Sequence, residues 1–424
     1  HWFNVSIPIM PKAGVHDLVF EYQNSKLTNP DEYGIRFNWF YFTRGLPSQT
    51  SPSDSLQKVF YELVNASVPS TPVIIENPKE LLRKNHLFER GSWLSKGKEV
   101  QPGTPEILNP FPENAPKNRL GMAQWMTDIN NPLVSRTIVN KVWEQLFGTG
   151  LVETLENIGS QGASPSNQAL MDYLSWQLMH EYKWSIKRLI REIAISATYQ
   201  QSSGVSKELQ ERDPFNRLLA RGPRIRLSAE QVRDQALTVS GALNDTMYGP
   251  PVMPFQPEGT WSSPYDGATW KMSNYPNRYR KAIYTYWKRT SPYPSMTTFD
   301  GAGREVCLSR RIRTNTPLQA LVMLNDDVYM DLSGKFAGRV IKTVKGNIDA
   351  KISYAYHLAT NRDIKSEKLN ALKKLYIEAT NKYKSDQYLT CLAGENEGYD
   401  DVEFAALSLV CNAILNLDEV LTKS

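Results

Sequence analysis

The chain has 424 residues, of which 41% are hydrophobic and 22% are charged. This length suffices for two to three domains of about 150 residues each, and the composition excludes a long disordered or fibrous protein. The 49 Lys and Arg residues exceed the 44 Asp and Glu residues, a net charge of +5 that is too small to indicate a nucleic-acid partner or an anionic membrane surface.

Membrane spans and metal sites are not expected. The longest apolar stretch, 404–415, is shorter than the about 20 residues that a spanning helix needs. The three cysteines form no CxxC or CxxCH motif, and the five histidines show no HExxH spacing. We therefore expect no metal and no covalent haem in this chain, and a bridge between Cys391 and Cys411 stays open.

The N-terminal part of the sequence favours β and irregular structure. Residues 1–45 alternate apolar and polar positions around a turn at 11–14, which predicts a small antiparallel β piece. Residues 46–115 contain many Pro and Ser residues and predict a connector with one helix over 53–64. Because the chain begins at His1, without an initiator Met or a signal-like region, we expect it to belong to a longer protein.

Residues 116–424 predict a mainly α body with one long irregular insertion. Gly148, the Ser228 capping box and Thr316 followed by Pro317 mark helix ends. Residues 249–315 show no sustained helical period, so we expect an irregular, aromatic-rich insertion there. The predicted helices cover 135–147, 167–182, 185–198, a segment from 229 to about 243, 317–324, 348–360, 365–383 and 401–415.

The irregular insertion carries the first set of candidate binding residues. Aromatic rings flanked by hydrogen-bonding groups suit a sugar, because sugar C–H faces pack on rings and sugar hydroxyls need polar partners. The same rings could instead anchor the insertion onto the helices, and both interpretations remain open. The candidates are Trp261, Tyr265, Asp266, Trp270, Arg278 and Arg280.

A second set of candidates follows directly, with four arginines in residues 304–313. Guanidinium groups can clamp a carboxylate or a sulfate by forked hydrogen bonds, and the helix start at Thr316 adds backbone N–H donors. Alternatively the arginines are structural and pair with Asp300, Glu305, Asp326 or Asp327. The candidates are Asp300, Arg304, Arg310, Arg311, Arg313 and Gln319.

Several motifs resemble a known family. They are Asn118-Arg119-Leu120-Gly121-Met122, Asn140-Lys141-Val142-Trp143, Phe147-Gly148-Thr149-Gly150-Leu151-Val152, Thr314-Asn315-Thr316-Pro317-Leu318-Gln319 and Leu324-Asn325-Asp326. Over about residues 88–424, the chain is similar to the C-terminal domain of unknown function of planctomycete-type cytochrome c multidomain proteins. Residues 1–45 separately resemble the closing strands of a family 6-like carbohydrate-binding module.

This resemblance implies an extracytoplasmic protein, located in the periplasm, at the outer-membrane surface or outside the cell. It also implies a cytochrome domain of the same parent protein, N-terminal to this chain, as the place of a haem c. Together with the aromatic insertion, it leads to the hypothesis that the chain binds or helps process a glycan, acidic or sulfated, in polysaccharide utilisation. A structural scaffold between domains and a haem-coupled sugar oxidoreductase are the alternatives, and the sequence does not decide whether the chain is an enzyme.

Overall fold

The computed structural model describes residues 59, 62–63, 66, 73–76, 83–263, 267–386, 390 and 398–423. The described chain is mainly α-helical with a small antiparallel β piece in its N-terminal part, which confirms the predicted fold class. Residues 1–45, where the sequence placed the β piece, lie outside the described residues, as does most of the helix predicted over 53–64. The chain divides into two compact units, His1–Val100 and Gln101–Ser424.

The first unit contains an antiparallel hairpin that is not predicted from the sequence. Strand β1 (Asn85–Phe88) pairs with strand β2 (Lys96–Val100), with Asn85 opposite Val100. The connection includes Arg90, whose backbone is left-handed with φ 51°. All residues of both strands are exposed or half-buried, so the alternation of apolar and polar positions that reveals a strand is weak here.

The second unit is a helical body closed by a short sheet. Strand β3 (Ile225–Arg226) pairs antiparallel with strand β4 (Thr422–Lys423), which ties the C-terminal segment to the start of a helix in the middle of the chain. The α-helices of its described residues are α1 (Arg119–Met126), α2 (Pro132–Phe147), α3 (Gln168–His180), α4 (Ile186–Ala194), α5 (Lys207–Arg212), α6 (Ala229–Ser240), α7 (Pro294–Thr298), α8 (Pro317–Asn325), α9 (Asp327–Thr343), α10 (Ile348–Thr360), α11 (Ser366–Ser385), α12 (Asp401–Leu415) and α13 (Asp418–Leu421).

Helix ends follow the local signals in the sequence. Gly148 ends α2 in the left-handed conformation at φ 84°. The predicted capping box forms at α6, where the Ser228 side chain accepts from the backbone N–H of Gln231 and the Gln231 side chain accepts from the Ser228 N–H. Thr316 caps α8 with Pro317 at the first helical position. These signals depend on neighbouring residues alone, which is why they can be found without knowledge of the fold.

A small hydrophobic core forms where α2, α3 and α4 meet. Trp143 of α2 stacks on Phe147 with 4.2 Å between ring centroids. The loop after α2 turns back and buries Leu151 and Val152 against the same helices. The buried members of this core are Val139, Trp143, Leu151, Val152, Met171, Leu174, Leu178, Leu189 and Ile193.

The main core surrounds α9, a helix that is not predicted from the sequence. Leu332, Phe336 and Val340 of α9 are completely buried among α6, α8, α10 and α12. Two glycines within α9, Gly334 and Gly338, lower its intrinsic helix propensity. Burial on nearly every side of the helix outweighs that propensity, because each large side chain withdrawn from water contributes about 1.5–3 kcal/mol.

The insertion over 249–315 is irregular, as predicted. Its regular structure consists of α7 and two single turns of 3₁₀-helix, Asn277–Tyr279 and Ala282–Tyr284. Cys411 of α12 is a free, fully buried thiol, and Cys391, with which a bridge was left open, lies outside the described residues. None of the described helices combines the length and the apolar character that a membrane span requires.

Asn140 of α2 fixes the loop that closes the small core. Its amide donates to the carbonyl of Val152 at 2.9 Å, and its carbonyl accepts from the N–H of Val152 at 2.9 Å. Gly150 is needed beside it, because a Cβ there would lie 2.7 Å from Asn140 Oδ1. The polar side of α2 at this position therefore faces the protein and not a ligand.

We expect Asn140→Ala to lower the free energy of unfolding by about 2–4 kcal/mol, because it strands two buried backbone groups of Val152. Chemical denaturation measures this loss. Arg136→Ala is the matched control on the same helix: its partly exposed pair with Asp172, at 2.7 Å, predicts a loss below about 1 kcal/mol. Equal losses for the two variants would contradict this role for Asn140.

Candidate functional site

Four of the arginine-rich candidates meet in one concave site, which we call the arginine cleft. It has a volume of about 410 Å³, and Asp300, Arg310, Arg311 and Arg313 lie in its wall. The loop 299–313 forms one side of the cleft. The end of α2, with Gln145, and the start of α6, with Ser228 and Glu230, contribute the other side.

Arg311 and Glu230 form an ion pair inside the arginine cleft, with 2.7 Å between Nη1 and Oε2. Both side chains are about one-third exposed. Burial alone raises the pKa of the Glu230 carboxyl, but hydrogen bonds from Arg311 and from the backbone, together with the positive charge of Arg311, outweigh burial and leave the pKa below its ordinary value. Glu230 is therefore a carboxylate that orients Arg311.

Arg310 and Arg313 also have one carboxylate partner each. Arg310 lies 3.2 Å from Glu156 and donates to the carbonyl of Glu153, and its side chain is 46% exposed. Arg313 is more enclosed and lies 3.7 Å from the buried Glu144 of α2. The arginines thus hold the loop to several segments of the second unit.

These partners differ from those expected for structural arginines. The sequence suggested nearby acids, namely Asp300, Glu305, Asp326 or Asp327, whereas the described ion pairs join the arginines to Glu144, Glu156 and Glu230. The suggested partners are wrong because the loop runs across the body. Its neighbours in space come from α2, the loop after it, and α6, which are 80 or more residues away in the chain.

Asp300 and Gln319 form a polar network at the base of the loop. The carboxylate of Asp300 accepts from the N–H of Thr314 at 2.8 Å and from its hydroxyl. Gln319 is only 1% exposed; its amide donates to the Thr298 carbonyl and to the Thr314 hydroxyl, and its carbonyl accepts from Arg226 Nε. Both candidates therefore shape the arginine cleft, Asp300 in its wall and Gln319 from behind it.

Three other arginine candidates lie outside the arginine cleft. Arg304 is exposed and lies over the ring of Trp287 at 5.3 Å. Arg280 is buried, donates to the carbonyls of Thr246, Tyr248 and Pro250, and covers the Tyr284 ring at 3.6 Å. These bonds occupy most of its donors, so it serves the fold. Arg278 lines a separate, smaller cavity.

The two tryptophan candidates pack into the protein. Trp270 stacks on the buried Tyr293 with ring centroids 5.4 Å apart, and its indole N–H donates to the Pro254 carbonyl at 2.7 Å. Trp261 is buried and donates to the carbonyl of Ser291 at 2.6 Å. Neither tryptophan lines the arginine cleft, so these two rings and the arginines of the cleft do not form one groove. Tyr265 and Asp266 lie outside the described residues.

The carboxylate partners of the cleft arginines are not found by sequence reasoning. Glu230 in the cleft wall and Glu144, the partner of Arg313, look like ordinary surface residues of amphipathic helices. The capping signal at Ser228 explains Glu230 as a first-turn acid without reference to a ligand. Among the described residues, no group of three or more His, Cys, Asp or Glu side chains is arranged to hold a metal ion. The chemistry available in the arginine cleft is thus charge-assisted hydrogen bonding to an anion.

We expect Glu230→Gln to reduce the acid sensitivity of the folded state. A lowered folded pKa means that the carboxylate contributes stability above its unfolded pKa of about 4.3, and that this stability is lost as the pH falls through the folded value. Chemical denaturation at several pH values between neutral and about pH 3 gives the free energy of unfolding, which should fall less steeply with decreasing pH in the variant than in the parent. Parallel curves for the parent and the variant would refute this contribution.

We expect Gln319→Leu to destabilise the protein by about 1–3 kcal/mol and to loosen the loop 299–313, because it leaves the Thr298 carbonyl and Arg226 Nε without a partner. Hydrogen exchange at the Thr314 amide reports the loosening. Asp300→Asn is the milder change, because the side-chain oxygen of Asn can still accept from the backbone N–H of Thr314. We therefore expect slower exchange of the Thr314 amide in Asp300→Asn than in Gln319→Leu, and the reverse result would contradict this expectation.

Comparison with known proteins gives a family and no function. No curated protein and no solved structure matches the chain. Residues 118–376 match PSD1, described as "Protein of unknown function (DUF1553)". The matched segment includes α1 to α10, most of α11, and the whole arginine cleft. Since it covers more than half of the sequence, the chain belongs to the PSD1 (DUF1553) family of proteins of unknown function.

Proposed function

We propose that the arginine cleft binds the anionic group of a glycan, either a uronic-acid carboxylate or a sulfate ester. One observation carries this proposal: three guanidinium groups line a single cleft of about 410 Å³, and their protein partners use only part of their donors. Guanidinium forks match the geometry of carboxylate and sulfate oxygens.

The arginines of the cleft have N–H donors that no described residue uses, and these could bind a ligand. Each guanidinium has five N–H donors, and within the described residues Arg311 donates only through Nη1, to Glu230. Arg310 makes a long contact to the Glu153 carbonyl and one ion pair, and about half of its side chain is exposed. The carboxylate partners hold both side chains in place and leave further N–H groups for an incoming anion.

Size and polar lining favour a sugar as the carrier of the anion. The volume lies in the range of small-molecule sites, about 300–1,000 Å³. Ser309 and Gln145 supply neutral polar groups next to the arginines, as sugar hydroxyls require. The tryptophans are packed elsewhere, so recognition here depends on charge and hydrogen bonds and not on ring stacking.

The proposed setting follows from the family resemblance. We propose that the chain acts outside the cytoplasm, as a module of a polysaccharide-utilisation protein whose cytochrome domain is its partner. This setting suits a module that holds the glycan or helps process it, and a haem-coupled sugar oxidoreductase is the alternative.

A scaffold role is the second candidate function, and the ion pairs favour it. Arg310, Arg311 and Arg313 link their loop to three different segments of the second unit, as structural braces would. The two functions predict different losses: a brace contributes stability without ligand, whereas a clamp contributes affinity. Because the Arg311 pair is one-third exposed, its loss should cost far less than the about 3–5 kcal/mol expected of a fully buried pair.

Affinity electrophoresis through gels that contain a sulfated, a uronic or a neutral polysaccharide tests the proposal. We expect the parent chain to be retarded by an acidic gel, and Arg311→Ala to bind about ten- to a hundredfold more weakly, because a charge-assisted hydrogen bond contributes about 1.5–3 kcal/mol. Arg311→Lys keeps the positive charge but loses the forked pair of N–H donors, so its affinity should lie between those of the parent and Arg311→Ala.

Arg212→Ala is the matched control. It removes one positive charge from an exposed pair on α5 that does not line the arginine cleft, so retardation should not change. A large fall in melting temperature for Arg311→Ala, without saturable retardation of the parent in either acidic gel, would reject the clamp and leave the scaffold. Equal retardation of Arg311→Ala and Arg212→Ala would place the binding elsewhere.

A further inference from the structure

A second cavity of about 200 Å³ lies in the main core and shares no lining residue with the arginine cleft. Its walls come from Arg233 of α6, the segment Pro254–Phe255, the turn at Arg278–Tyr279, and the first turns of α9. The aromatic insertion holds one wall, because Trp270 donates to the Pro254 carbonyl and Tyr293 donates to the Phe255 carbonyl at 2.7 Å. Burial raises the pKa of Tyr293 to about 12, so its hydroxyl stays protonated as a donor.

Arg233 is a buried cation that forms no ion pair with any described residue. Its side chain belongs to a residue that is only 3% exposed, and the one hydrogen bond it makes runs from Nη2 to the backbone carbonyl of Arg278 at 2.9 Å. Its Nε has no partner. The carboxylates of Asp234 and Asp326 interact with its charge only through space. Each of them accepts a hydrogen bond from a backbone N–H, of Ala282 and Val328 respectively. Burial of a charge in this state is costly unless another group completes its hydrogen bonding.

Arg278 brings a second guanidinium to the same cavity. Its Nη1 contacts the sulfur of Met272 at 3.7 Å, a weak acceptor, and its Nε has no partner. Its guanidinium also lies over the ring of Tyr279 at 5.0 Å. Neither contact neutralises the charge, so two cations border one small space.

The acids of the cavity do not neutralise this pair. Asp331 is engaged on both oxygens: the hydroxyl of Tyr279 donates to one at 2.8 Å, and Lys335 lies 3.4 Å from the other. Asp327 is exposed at the start of α9. The remaining lining, from Pro254, Phe255 and Val328, is apolar.

We propose that this cavity binds a small organic carboxylate, with the carboxylate held by Arg233 and Arg278 and a short apolar tail packed against Pro254, Phe255 and Val328. The volume is below the usual range for extended ligands, which favours a compact ion over an oligosaccharide. The bound carboxylate supplies the missing charge and acceptor oxygens. This inference is independent of the glycan proposal, because the two sites have no residue in common.

Thermal unfolding of the full chain, titrated with sodium acetate, propionate and butyrate against sodium chloride at matched ionic strength, tests the site. We expect a saturable rise in melting temperature with each carboxylate and none with chloride. Affinity should increase about fourfold for each added methylene that packs on the apolar wall. Calorimetric titration gives the dissociation constants.

Two variants locate the binding. Arg278→Gln should weaken butyrate binding about ten- to a hundredfold. Arg233→Met should abolish it and leave the melting temperature of the ligand-free protein unchanged or higher, because the variant removes an unpaired buried charge. Arg311→Ala, in the arginine cleft, should bind butyrate as the parent does and so separates this site from the glycan site.

The proposal is overturned if none of the three carboxylates raises the melting temperature in a saturable way. It is also overturned if Arg278→Gln shows the same rise in melting temperature as the parent, and this variant decides the question even if Arg233→Met does not fold. A ligand-free Arg233→Met that folds but melts well below the parent would show that Arg233 is satisfied without a ligand, which contradicts the argument.

Discussion

The burial of α9 is the constraint on which the second unit depends. Leu332 and Phe336 of this helix reach no solvent, and the helices around it share one core with them. Asn412 of α12 donates to the Met323 carbonyl at 2.9 Å and to the Ser333 hydroxyl at 3.2 Å, so its side-chain N–H groups find partners inside this apolar environment. These contacts fix the end of α8, and through it the base of the loop that carries the arginines.

Each of the two cavities contains arginines whose N–H donors are only partly used by protein acceptors. The side chains of the Arg311–Glu230 pair are about one-third exposed, so the pair adds little stability and instead keeps a guanidinium at a defined position. Arg233 is the opposite case, since it is enclosed and has no ion pair in the described residues. Well-oriented cations with unused donors are a common basis for anion recognition, and the two cavities present them in an exposed and an enclosed form.

The aromatic insertion shows why composition alone misleads about a site. Tryptophan and tyrosine suit a sugar surface and a packed core equally well, because both uses bury a ring face and give the N–H or O–H a polar partner. Here the backbone carbonyls of Pro254, Phe255 and Ser291 are those partners. The rings of Trp261, Trp270 and Tyr293 thereby hold an otherwise irregular chain against the main core.

The sequence by itself determined the fold class, the helix ends at Gly148, Ser228 and Thr316, the irregular insertion, and the loop that holds the arginines, because each follows from the spacing or chemistry of neighbouring residues. Only the tertiary structure decided which acids face the arginines, that α9 is the centre of the core, and that Arg233 is enclosed with no ion pair to a described residue. Those outcomes depend on contacts between segments far apart in the chain, and propensity and periodicity contain no information about which distant segments meet.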